Sequence, residues 1–436
     1  MTDIKRIADK FDHINSKYVL VAFFAILPFV GILPQSVIAI AVIFLCLILS
    51  TTDDLYLALP IMMFYYMPFG SLLGMSVYRW YTLIYVFYAI YKRYKKSRRI
   101  TGILKWDKAI PLLIYYLFCV FALAVNNVRT GIFAFFDVVF ILVIVDCELS
   151  NSERLKKFFS VWAVTSVFAF VSGLIINNSE QYAELLNDSY LTITRNNATF
   201  EDSNYMGFFY TISAFSVILL KPFKKLPNII LTVVIYLMLL SSLSMTATVV
   251  NIIIWLIYFA LTKKQKAGKI LLGTAIFAVL LLAYNMALKY GDSSQWFVQL
   301  ALRINEKINY FLIGDTVGLT TNRSSLSEAH FELFLQQPIW RQLIGMNPVG
   351  SLSPKGSILT NVAHNEYIDW LHNIGIIGAV LMGTFLVMSL YRAYTDYQNE
   401  NTKTNLFVVI LKCCWILYAF TLTVFMDPRF MIPFLI

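Results

Sequence analysis

Residues 363–378 read Ala363-His364-Asn365-Glu366-Tyr367-Ile368-Asp369-Trp370-Leu371-His372-Asn373-Ile374-Gly375-Ile376-Ile377-Gly378, and the residues that follow, as far as Leu390, carry no charge. A polar head holding two of the chain's four histidines runs directly into an apolar body long enough to cross a bilayer, which takes about 20 residues. A charge left there without partners or water costs several kcal/mol. The stretch therefore predicts a helix that enters a membrane and keeps ionisable chemistry at its mouth.

Outward from this segment the same pattern recurs. The 436 residues are 59% hydrophobic and 14% charged, with a mean hydropathy of +0.69, a balance that excludes an ordinary soluble domain. Apolar runs of spanning or near-spanning length fall at 18–33, 36–50, 55–74, 77–91, 109–125, 131–147, 158–176, 204–220, 226–244, 247–261, 269–288, 366–390 and 405–426. The expected fold is all-α, a polytopic transmembrane bundle of about 12–14 spans. Residues 1–436 read as a single integral membrane domain. The first two runs are punctuated by Pro28, Gly31 and Pro34 and could form a hairpin or one broken helix. Residues 1–17 are charged throughout and lack the compact apolar core of a cleavable leader, so the first helix is expected to be its own insertion signal.

Orientation follows from lysine and arginine. Placing the N-terminus in the cytoplasm puts 24 of the 35 on that side, in the segments 1–17, 92–108, 151–157, 221–225, 262–269 and 391–404, as the positive-inside rule expects. Lys412 alone is mid-span. The run Lys92-Arg93-Tyr94-Lys95-Lys96-Ser97-Arg98-Arg99 is then a lipid-headgroup anchor and not a nucleic-acid site. Cys46, Cys119, Cys147, Cys413 and Cys414 lie in spans or near the cytoplasmic face, away from any external disulfide or zinc site.

Two longer polar segments, about 177–203 and 289–365, fall on the opposite side and are expected to form an extracytoplasmic cap. Within the second, Ser325–Trp340 predicts a rough amphipathic helix ended by Gln336-Gln337-Pro338, suited to the membrane surface. Asn347-Pro348-Val349-Gly350 and the segment 351–356 read as turns.

Three clusters in these segments could carry chemistry. In the first, Asp202, Ser203 or Asn204 could cap the helix that follows, and Arg195 suits bidentate phosphate contact. In the second, Asn322-Arg323-Ser324-Ser325 opens the amphipathic helix, with Ser324 or Ser325 as cap, and Arg323 and the first amides could hold an anion. The third is the opening segment. There His364 stands at the helix start, Asp369 lies deeper, Gly375 and Gly378 allow close helix contact, and His372 is expected to be structural.

Arg195 with Thr199-Phe200 and Asp202-Ser203-Asn204, then Asn322-Arg323 ahead of Leu343-Ile344-Gly345-Met346-Asn347-Pro348, then His364-Asn365 with Gly375-Ile376-Ile377-Gly378, resembles the O-antigen polymerase and ligase superfamily over roughly residues 190–385. The chain departs from the group at Met245, where an arginine often follows the serine pair.

The resemblance implies glycosyl transfer at the outer face of a bacterial cytoplasmic membrane, from an oligosaccharide carried on undecaprenyl pyrophosphate, to another repeat unit or to a lipid core. It implies a flippase and a chain-length regulator as partners, and no nucleic acid. Arg195 and Arg323 would stabilise the departing pyrophosphate, and His364, an imidazole titrating near pH 6.5, would act as general base or orient the acceptor. Asp202, Asn204, Asn322, Asn365 and Glu366 would line the substrate. Glu201 or Asp202 could equally serve as base. The scheme needs no metal and no cofactor. A lipid-linked oligosaccharide transporter or flippase is the competing class; it would show internal symmetry, paired broken helices and charges near the midplane, and the sequence displays none of these clearly.

Overall fold

The computed structural model describes residues 33–50, 54–97, 110, 112, 128–176, 198–200, 202–242, 244–262, 302, 305–306, 309–310, 312–315, 323–345, 364–422 and 427–436. The runs expected at 18–33, 109–125 and 269–288 fall largely outside them, as do Arg195, Glu201 and Asn322.

The described chain is mostly helical. Its helices are α1 (Gln35–Ser50), α2 (Leu59–Phe64), α3 (Tyr66–Phe69), α4 (Val77–Ser97), α5 (Val128–Ile144), α6 (Ser152–Ile176), α7 (Ser203–Leu220), α8 (Lys225–Ser241), α9 (Met245–Leu261), α10 (Arg323–Leu335), α11 (Ile339–Ile344), α12 (Glu366–Asn399), α13 (Lys403–Ala419) and α14 (Pro428–Leu435). Three of them, α6, α7 and α12, are long and apolar enough to cross a membrane, while α8 and α9 are apolar but shorter.

The run 55–74 does not form the single span expected of it. A 3-10 turn at Leu55–Ala58 leads into α2 and α3, and a two-stranded hairpin pairs Ser71 with Ser76 and Leu72 with Met75. The breakers are local. Pro60 sits in the first turn of α2, and Pro68 and Gly70 close α3, Gly70 at φ 62, where a residue with a Cβ is strained. Hydropathy alone is blind to such breaks.

Around this entry the helices pack through aromatic and small residues. α7 is the hub, touching α6, α8, α9 and α13. On one side the Trp162 ring lies parallel to Phe209 at 4.9 Å, and Trp162 Nε1 donates to the Phe209 carbonyl. On the other, Gly207 brings α7 close to Ala247 and Tyr418. Inside that contact Thr211 shares a hydrogen bond with Tyr418 at 3.0 Å and accepts one from Asn251 at 2.7 Å. Such interhelical bonds average about 0.6 kcal/mol in bilayers, so they fix register more than they supply stability.

α4 and α5 are neighbours, joined by an Arg79–Asp137 bond and, where a π-helical turn at Val145–Leu149 continues α5, by a Tyr85–Glu148 bond. The two pairs advance together along both helices, so α4 and α5 run in the same direction.

Candidate functional site

The first cluster is built on the start of α7. Asp202, in extended backbone, is the N-cap, so the choice left open among Asp202, Ser203 and Asn204 falls on Asp202. One carboxylate oxygen accepts the Asn204 amide at 2.7 Å, and the other receives Arg323 Nη2 at 3.1 Å. A cap oxygen satisfies an orphan helix donor; here the same carboxylate also anchors a guanidinium from a segment 121 residues away. Arg323 Nη1 donates to the Thr421 carbonyl at 2.7 Å. Both side chains stay 21% exposed, so the pair is reachable.

Asn204 is buried. Its Oδ1 accepts from Ser244 Oγ at 2.6 Å, and Ser244 in turn caps α9 at Ala247. Asn204 thus ties two helix starts together. Upstream, Thr199 Oγ1 donates to the Phe64 carbonyl, Phe200 packs on Phe64 and Phe209, and a Cβ on Gly173 would collide with the Ala198 backbone. The turn at 198–200 is therefore locked to α2, α6 and α7, three residues beyond Arg195.

Arg323, Ser324 and Ser325 are all helical residues of α10, so neither serine stands in the cap position expected of it. The inward face of α10 carries buried His330 and Phe334. Both rings pack on His372 of α12, with centroids 5.4 and 5.7 Å from it, and His372 Nε2 meets the His330 carbonyl. His372 is a packing residue, as its depth suggested.

The third cluster opens α12. His364 is half-buried with φ 51, and Asn365 is the N-cap, accepting from the Tyr367 and Ile368 amides at 3.1 and 3.4 Å. Glu366 is buried and accepts from Trp370 Nε1 at 2.7 Å. Tyr367 donates to the Ile416 carbonyl and its ring lies 4.6 Å from Phe420. Thus the first turn of α12 and the guanidinium of Arg323 both meet the last residues of α13 and the turn after it, Ile416–Thr421.

Sequence reasoning missed a second group of charges. Arg79 binds Asp137 with Nε and Nη2, at 2.8 to 3.1 Å, and Asp137 is 3% exposed. Asp427 caps α14 and holds Arg429, whose guanidinium lies over the Tyr66 and Tyr205 rings at 4.8 and 5.2 Å. Tyr205 stands one turn after Asp202, so this group adjoins the Arg323 pair. The available signal was Asp137, a carboxylate in the middle of an apolar run. Among the described residues no group of three or more His, Cys, Asp or Glu side chains is placed to share an ion.

No protein-family model matches the chain, and no curated protein matches it in sequence.

Proposed function

We propose that this protein is a membrane glycosyltransferase that joins oligosaccharide repeat units carried on undecaprenyl pyrophosphate at the outer face of the cytoplasmic membrane, making a cell-surface polysaccharide. One observation carries the reading. Two of the three sequence clusters, far apart in the chain, meet as the Asp202–Arg323 pair, and the third approaches the same end of α13 through Tyr367.

The chemistry suits such a substrate. A sugar phosphate already has a good leaving group, so the protein's task is to neutralise charge on the departing pyrophosphate and take a proton from the acceptor hydroxyl. Arg323, forked and always charged, is the neutralising group, joined by Arg195. Donors aimed at developing charge typically contribute about 3–4 kcal/mol each to the barrier. Asp202 keeps Arg323 oriented in the resting state and yields part of it to phosphate on binding. His364 or Asp202 takes the proton. Transfer to a lipid core in place of a second repeat unit would use the same groups.

The test is to purify the protein in detergent and supply one synthetic undecaprenyl-pyrophosphate repeat unit. A ladder of longer glycans is expected. Product that forms only when a lipid core is added would reassign the protein as a ligase, and no product under either condition would overturn the reading. Arg195→Ala, Arg323→Ala and His364→Ala should each abolish turnover while insertion into the membrane is kept.

Two observations favour transport as the second reading. α12 is broken at Gly375, and charged side chains are buried at Asp137, Glu148 and Lys412, contrary to the sparse interior charge expected from sequence. Protein-dependent passage of intact lipid-linked sugar across vesicles, with no glycan lengthening, would select it.

A further inference from the structure

The outward side of α10 and α11 poses a question that the Arg323 pair does not answer. Phe331, Leu335, Ile339, Trp340 and Leu343 are between 40% and 76% exposed. On α10 the two glutamates, Glu328 and Glu332, are also exposed but lie on the neighbouring flank of the helix, so apolar and acidic strips run side by side.

The position of these helices relative to α12 is fixed by two glycines. Gly375 breaks α12 with φ 67, and a Cβ there would run into the Leu343 carbonyl; a Cβ on Gly345 would run into the Asn373 carbonyl. The end of α11 is thus seated in the break of α12, backbone against backbone. Immediately beyond the break, Ile376, Ile377 and Val380 of α12 are exposed, and only 28% of the most apolar window of that helix is buried. The exposed apolar strip of α11 therefore runs into the exposed apolar face of a helix able to span a membrane.

Helix geometry sets the depth. No Asp, Glu, Lys or Arg occurs between Asp369 and Arg392. With Arg392 at one boundary, a hydrocarbon layer of about 30 Å takes up roughly 20 residues at 1.5 Å each and ends near residue 372. Gly375 then lies only about 5 Å inside the other boundary. Asp369, Glu366 and His364 project beyond it into the headgroup layer. Trp340, with Arg341 over its ring at 5.0 Å, has the aromatic and cationic character of residues that settle at that level.

We propose that α10 and α11 are embedded in the interfacial layer of the bilayer, with Phe331, Leu335, Ile339, Trp340 and Leu343 against lipid and Glu328 and Glu332 toward water. The inference does not depend on the catalytic reading. It places Arg323, a helical residue of α10, on an element seated at the depth of lipid phosphates, and not on a loop standing in solvent.

The experiment uses the full chain in nanodiscs of phosphatidylcholine brominated at the shallow acyl positions. The tryptophan fluorescence that disappears on Trp340→Phe reports residue 340. That difference signal should be largely lost in brominated lipid and be insensitive to aqueous iodide. Quenching by iodide without quenching by bromine would put the helices in water, and quenching by neither would mean that protein covers them; both overturn the proposal. Ile339→Trp in the Trp340→Phe background should restore a signal with the same quenching pattern, which checks the placement without relying on the native tryptophan.

Discussion

At the scale of a residue, Asp202 carries two tasks that a substitution can separate. Its side chain caps α7 and binds Arg323. Asparagine is as good a cap as aspartate, whereas alanine typically costs about 1 kcal/mol. Asp202→Asn is therefore expected to leave the melting temperature close to wild type while lowering turnover of the lipid-linked substrate, because Arg323 loses its charged anchor. Asp202→Ala should lower both. A fall in stability alone, with normal turnover, would reduce Asp202 to a cap. Arg323→Lys tests the fork: a lysine keeps the charge but cannot reach the Asp202 carboxylate and the Thr421 carbonyl with two rigid donors, so activity should fall nearly as far as in Arg323→Ala. Product assays on the two variants decide this.

Among elements, α12 depends most on a single position. Helices end or kink at glycine with positive φ, and here the kink admits another backbone. Gly375→Ala adds backbone strain of about 1–3 kcal/mol to a collision with the Leu343 carbonyl. It should lower the melting temperature markedly and detach α11, which limited proteolysis near Ile339–Ile344 would reveal. Gly383→Ala is the milder control, since a Cβ there would meet nothing, whereas at Gly378 it would collide with Ile374 Cβ of the same helix. Gly375 and Gly378 were legible in the sequence as places of close approach. Their unequal roles were not, because glycine's need for positive φ depends on what occupies the space beside it, and that occupant, Leu343–Gly345, is supplied by another part of the chain.

Across the whole molecule, the buried charges link helices that sequence leaves unrelated. Arg79 and Asp137 join α4 to α5. Removing one member of a buried pair leaves the other uncompensated, a loss of up to about 3–5 kcal/mol, whereas replacing both with apolar residues is often neutral. Arg79 reaches solvent, so the loss for Asp137→Ala should be toward the low end of that range. Arg79→Leu with Asp137→Leu should recover most of the melting temperature. If the double variant is stable yet inactive, the pair serves the site and not the fold.

What the amino-acid order determined by itself is the class of the molecule. Hydropathy, the asymmetric placement of lysine and arginine, and the polar head of the segment 363–378 follow from transfer free energies that act residue by residue, so they can be read locally. The break of the run 55–74 was written locally in Pro60, Pro68 and Gly70, but the seating of α11 in α12 and the pairing of Asp202 with Arg323 were decided only by tertiary structure. Each depends on which distant segment comes into contact, and a pairwise contact across 121 residues leaves no periodic trace in either partner.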